Sequence, residues 1–134
     1  MILKSEEEMI KFGVEIGKTI SAPFCIELVG DVGTGKTTIT KGIAKGLGVL
    51  EEVTSPSFMI SKRYETEKGQ LVHYDFYRLS EPGIMSEDLA ENLSDENTVT
   101  VIEWADSVAD LLPENHVKYE IKLLDDGSRE VRKI

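Results

Sequence analysis

Cysteine, basic charge and long apolar runs are all scarce in this sequence of 134 residues. No stretch reaches the roughly 20 apolar residues of a membrane span. The start, Met1-Ile-Leu-Lys-Ser-Glu-Glu-Glu8, lacks the basic flank and apolar centre of a signal peptide. A soluble cytoplasmic protein is therefore expected. The one cysteine, Cys25, cannot form an internal disulfide and reads as a small buried hydrophobe. Fifteen Lys and Arg against 25 Asp and Glu give a net charge of −10. That argues against unaided nucleic-acid binding, which needs clustered cations to neutralise phosphate. The acidic runs Glu6 to Glu8 and Glu51-Glu52 read as solvated faces or helix starts. Internal repeats and low-complexity tracts are missing too, so a solenoid is excluded and order is expected between the termini.

What remains is an ordinary globular mixture, 40% hydrophobic and 30% charged, of a length that fits one domain over residues 1–134 with a single active centre. Ser5 and Glu8 have capping-box spacing, and Met9, Phe12, Ile16 and Ile20 recur at helical intervals up to Pro23. Phe24-Cys-Ile-Glu-Leu-Val29 reads as a buried strand, Gly30 to Gly35 as a loop, and Lys36 onward as a helix with Ile39, Ile43 and Leu47 on one face, ending near Gly46 or Gly48. Phe58 to Glu65 and Leu71 to Tyr77 predict an antiparallel hairpin, followed by a break at Pro82-Gly83. A short helix is expected from Ser86 through Leu93, a strand at Val99 to Ile102, a helix from Ala105 to Leu112 and a terminal hairpin turning at Asp125 to Ser128. The fold class that follows is α/β, a P-loop NTPase-like three-layer domain with a mixed central sheet.

Gly30-Asp-Val-Gly-Thr-Gly-Lys-Thr37 matches G-x-x-x-x-G-K-[ST], a pattern expected by chance in a chain of this length on the order of one per cent of the time or less. Its context between strand and helix is the stronger argument. Backbone N–H groups and the positive end of the helix dipole converge there on a phosphate, and a Cβ would block the approach. Lys36 has the reach for β- and γ-phosphates, and the Thr37 hydroxyl suits Mg²⁺. The site would hold ATP or ADP with Mg²⁺.

A magnesium nucleotide also calls for a carboxylate from another strand end. Glu103, closing Val99 to Ile102, is placed to emerge at the sheet edge as a metal ligand or a solvated acid. Asp75, between Tyr74 and Phe76, needs a cation or hydrogen bonds if buried, and Arg78 offers a structural alternative. Thr54-Ser-Pro-Ser-Phe58 either senses a γ-phosphate or forms an ordinary turn. His73 reads as a packing or hydrogen-bonding residue, since the only other histidine, His116, lies far along the chain without cysteine support. Trp104 reads as core or as a base-stacking platform.

Taken in order, Gly30 to Thr38, Thr54 to Phe58, His73-Tyr-Asp-Phe-Tyr-Arg-Leu79 and Ile102-Glu-Trp-Ala-Asp106 resemble the characteristic stretches of the bacterial tRNA threonylcarbamoyladenosine biosynthesis ATPases called TsaE or YjeE, over about residues 26 to 106. The resemblance implies a cytoplasmic ATPase that assists a two-protein transferase of TsaB and TsaD type, which modifies the adenosine beside the anticodon. It implies nucleotide binding by Asp31, Val32, Gly33, Thr34, Gly35, Lys36, Thr37 and Thr38, with Trp104 nearby. Catalysis would fall to Lys36, Asp75, Glu103 and the switch residue Thr54, and the metal to Thr37, Glu103 and Asp75. Ser57 stands where Thr is usual, and Ser80 to Asn97 is only loosely similar to the family's helical insertion.

Two other readings stand beside this one. A small-molecule kinase usually needs an arginine-bearing lid, and Ser80 to Asn97 contains no Arg or Lys. A nucleotide-gated binding module differs only in how the attacking water is held.

Overall fold

The apolar run before the glycine loop is the middle strand of the sheet. The computed structural model describes every residue except Ser57, Phe58, Ser80 and Pro82. Along the chain it forms β1 (Ile2–Leu3), α1 (Glu6–Thr19), β2 (Phe24–Val29), α2 (Lys36–Gly46), β3 (Ser61–Glu65) and β4 (Gln70–Asp75). Then come α3 (Ile84–Ser94), β5 (Thr98–Glu103), a 3₁₀ helix (Ala105–Leu111), β6 (Val117–Leu123) and β7 (Arg129–Lys133). Among the described residues the sheet has 7 strands in the order β1-β7-β6-β2-β5-β4-β3. Strands β4, β5, β2 and β6 run parallel, while β3 and the β7-β1 pair lie antiparallel at the two sides. The mixed α/β architecture expected from the sequence is the one present.

Parallel strands buried on both faces need covering layers, and the helices supply them. On one face α1 and α2 cover Ile26, Leu28, Leu71, Val99 and Val101. These two helices meet backbone to backbone. A Cβ on Gly13 would overlap the Ile39 carbonyl, and one on Gly17 the Ile43 carbonyl. Gly42 and Gly46 stand in the same relation to the carbonyls of Ile10 and Val14. On the other face α3 and the 3₁₀ helix cover Val72, Tyr74 and Ile102.

Helix α1 begins as its sequence predicts: Ser5 is the N-cap and its hydroxyl accepts from Glu8 N–H at 3.1 Å. Glu8 reaches back one residue further than a capping box does, to Lys4 N–H at 2.8 Å. Three expectations need correction. Helix α3 starts at Ile84, because Ser86 lies inside the first turn and bonds back to the Gly83 carbonyl at 2.6 Å. The helix expected from Ala105 to Leu112 is present as a 3₁₀ helix and ends one residue earlier, at Leu111. Strand β3 begins at Ser61, and the expected starting residue Phe58 lies outside the described residues. The two-residue β1 was not anticipated, since it is too short to show an alternation.

Candidate nucleotide site

Four adjacent parallel strands deliver their carboxyl ends to one side of the sheet, the side where ligands bind in open α/β folds. β2 delivers the glycine loop. Gly33 and Gly35 take φ of 84° and 105°, a region closed to most side chains. A Cβ on Gly30 would come within 2.7 Å of the Ile121 carbonyl. Thr34 closes the loop on itself, donating from its hydroxyl to the Asp31 carbonyl at 2.9 Å. Gly35 caps α2, and the residues of its first turn, Lys36, Thr37 and Thr38, line the cleft with N–H groups that have no partner within the helix.

Lys36, the first residue of α2, is buried and its Nζ donates to the carbonyls of Gly30 and Asp31. Nζ also lies 4.5 Å from the centroid of the Trp104 ring. Burial lowers its pKa, opposed by the carboxylates of Glu103, Asp75 and Asp31. A polyphosphate entering the cleft would restore the charge compensation that burial removes.

Strands β4 and β5 end side by side, with Asp75 and Glu103 as register partners. Both line the same cleft of about 420 Å³ as Lys36, Thr37, Thr38 and Trp104. Asp75 is 5% exposed and accepts from Tyr77 N–H at 2.9 Å through Oδ1. Glu103 corrects the sequence expectation of an acid at the sheet edge, since it is the last residue of an interior strand and only 3% exposed. What makes that burial tolerable is His73, whose Nε2 stands 2.6 Å from Glu103 Oε2. The hydrogen-bonding role expected for His73 is therefore present. Trp104 is partly buried against the core and also lines the cleft: its φ is 55°, and its ring lies 4.7 Å from that of Tyr77.

Thr54 stands apart from this group. Its hydroxyl accepts from Lys62 Nζ at 3.0 Å, and among the described residues of its segment it is Ser55 that lines the cleft. Ser57 and Phe58, the rest of that stretch, lie outside the described residues. Val32, Gly33 and Gly35 line the cleft, while Asp31 and Thr34 line a neighbouring concavity of about 620 Å³ that shares Val32 and Trp104. That larger space carries less promising chemistry. Glu27 there is held by His116 at 3.0 Å, and Glu120 lies between Lys122 and Arg132.

Arg129 is a site residue that sequence reasoning missed. From the start of β7 its Nε donates to the Thr34 carbonyl at 3.0 Å and Nη2 to the Gly33 carbonyl at 3.4 Å, and its side chain lines the cleft. Ninety-five residues separate it from Thr34, and no local pattern signals the contact.

The donor set suits a hard divalent ion shared with a nucleotide. Thr37, Asp75 and Glu103 offer oxygen at one cleft, yet no group of three or more His, Cys, Asp or Glu among the described residues is arranged to hold an ion. Magnesium is commonly bound in this way, by one or two protein oxygens plus phosphates and water. Cys25 plays no part, since burial, aided by Glu27, pushes its thiol up to about 12.

Comparison with known proteins gives the family. The family model of the threonylcarbamoyl adenosine biosynthesis protein TsaE matches residues 3–133. The tRNA threonylcarbamoyladenosine biosynthesis protein TsaE of Treponema pallidum is 34% identical over 97% of this chain and 96% of its own. Its namesake from Aquifex aeolicus is 36% identical over 98% and 92%. The crystal structure of YdiB from Bacillus subtilis superposes with a TM-score of 0.83 at 30% identity, covering 98% of this chain and 80% of that one. No described helix is long and apolar enough to cross a membrane. With the match spanning nearly every residue and the fold shared, the chain belongs to the TsaE family of threonylcarbamoyl adenosine biosynthesis proteins.

Proposed function

We propose that this protein binds ATP with Mg²⁺ in the cleft between the glycine loop and Asp75-Glu103, hydrolyses it slowly, and uses the cycle to support a cytoplasmic transferase complex in tRNA threonylcarbamoyladenosine synthesis. The observation that carries this is the convergence of Lys36, Thr37, Asp75 and Glu103 on one cleft at the ends of adjacent parallel strands. Loop N–H groups and Lys36 bind the phosphates, and Lys36 exchanges its carbonyl partners for phosphate oxygens as it does so. Thr37 and the two carboxylates would hold Mg²⁺, which when bound neutralises charge on the β- and γ-phosphates. One of these carboxylates would also orient the attacking water. Trp104, already in contact with Lys36 and Tyr77, packs beside the nucleotide.

The acidic chain, at −10, has no means of gripping tRNA by itself. The relatives' shared role in tRNA modification therefore points to work through partners, a two-protein transferase of TsaB and TsaD type. Thr54 and Ser55 lie on the segment that such partners would order against the γ-phosphate, raising turnover. Helix α3 carries no Arg or Lys and covers the far face of the sheet, so it is no phosphate lid, which disfavours the kinase reading.

The deciding experiment is multiple-turnover threonylcarbamoylation of tRNA by the two transferase proteins, with and without this chain. Repeated turnover that requires both the chain and ATP is expected. Independence from the chain, together with ATP-dependent phosphorylation of a small metabolite, would overturn the proposal.

A further inference from the structure

His73 does more than fill the core. It occupies β4 with 0% exposure, and its Nε2 meets Glu103 Oε2 at 2.6 Å across the parallel strand pair. In register His73 faces Val101 and Asp75 faces Glu103, so the histidine sits one pleat below both carboxylates on the same face. Its other ring nitrogen, Nδ1, is buried without a hydrogen-bond partner among the described residues. A histidine wanted only for packing is poorly chosen for such a position, because an unpartnered buried polar atom is costly and an apolar side chain of similar size would avoid it. The cost is explained if the Glu103 contact is what the position requires.

We infer that His73 is a positioning residue for Glu103, holding Oε2 so that Oε1 is presented to the metal and water side of the cleft. This rests on the proposed role of Glu103. A free glutamate at the end of a strand has several rotamers, and one that must ligate or orient within a small distance tolerance gains from having an oxygen pinned. The sheet makes the pin rigid. His73 and Glu103 sit on adjacent hydrogen-bonded strands buried on both faces, so neither backbone can shift alone. Asp75 accepts from the Tyr77 N–H in its own turn.

The test compares His73→Leu, which removes the donor, with His73→Gln, whose amide can reach the position of Nε2. Calorimetry measures ATP affinity as a function of Mg²⁺, and electron paramagnetic resonance measures Mn²⁺ bound in the presence of ADP, both on variants whose melting confirms a folded state. His73→Leu should raise the divalent-ion concentration for half-saturation by about 10-fold or more, the usual scale for losing a group that orients a metal ligand. Metal-free nucleotide affinity should stay within about threefold, and His73→Gln should recover most of the metal dependence. Folded His73→Leu with wild-type metal dependence would overturn the inference, as would equal impairment of both variants. Glu103→Gln serves as the control. If it leaves metal dependence and turnover unchanged, the proposed role of Glu103 fails, whereas a Glu103 effect without a His73→Leu effect defeats the positioning role alone.

Discussion

Two glutamates on neighbouring central strands each meet a histidine, and the pairs lie on opposite faces of the sheet. Glu27 on β2 meets His116 at 3.0 Å, with side-chain exposures of 11% and 22%. His116 Nδ1 is also engaged, 2.6 Å from the Pro113 carbonyl. Glu103 on β5 meets His73 at 2.6 Å, nearly inaccessible, with the second ring nitrogen unpartnered among the described residues. The first pair is satisfied and only slightly open to water, which is how a clasp tying the segment before β6 to the sheet should look. The second bears an uncompensated cost at the bottom of a cleft, beside Asp75 and Lys36. Similar chemistry thus serves structure on one face and, on our reading, the reaction on the other.

Breaking the second pair should have the largest effect. Glu103→Gln should lower partner-stimulated ATP turnover by about 100-fold or more while leaving ADP affinity within a few-fold, since the change keeps size and removes the charge that holds metal or water. Turnover assays with nucleotide titrations read this, and wild-type turnover would place Glu103 with Glu27 as a structural acid. Next comes the frame that carries the site. Gly42→Ala forces a methyl against the Ile10 carbonyl and should cost about 2 to 3 kcal/mol in urea unfolding. A neutral result would show that α1 shifts freely over α2.

The opposite face responds more weakly. Cys25 has a folded pKa raised from 9.0 to about 12 by burial and then by Glu27. The folded state therefore retains a proton that the unfolded state gives up, and that stability, full below pH 9, is lost as pH climbs toward 12. At pH 10 the loss is about 1 kcal/mol, and Cys25→Ala should unfold without that part of the alkaline slope. Smallest of all, Glu27→Gln should cost under about 1 kcal/mol, since the amide can still hydrogen-bond His116. It should leave nucleotide binding unchanged, and a change in Mg²⁺ dependence would erase the contrast between the faces.

Much of this was legible in the sequence because it is written locally. The glycine loop, the Ser5 cap, both hairpins and the strands at β2 and β5 follow from spacing within a dozen residues. What pairs with what was not. His73 and Glu103 are 30 residues apart, and Arg129 and Thr34 are 95 apart, and only the strand order joins them. Glu103 looked like an edge acid because its burial depends on β4 and β2 lying on either side. The Gly13-Gly17 and Gly42-Gly46 spacings, each four residues apart on one helical face, went unread, because only the packing of α1 on α2 shows that the two pairs face one another. Thr54 and Ser55 cannot be told apart by composition, since both are hydroxyls in a turn and the backbone alone decides which faces the cleft.

The account stands most directly on the phosphate site, and calorimetric titration of ATP with Mg²⁺ into the wild type and a folded Lys36→Ala variant tests it. We expect saturable one-to-one binding by the wild type and a loss of about 100-fold or more in the variant, which lacks the loop's cation yet keeps a good helix former at that position. Equal affinity in the two proteins, or no binding by the wild type, would contradict it.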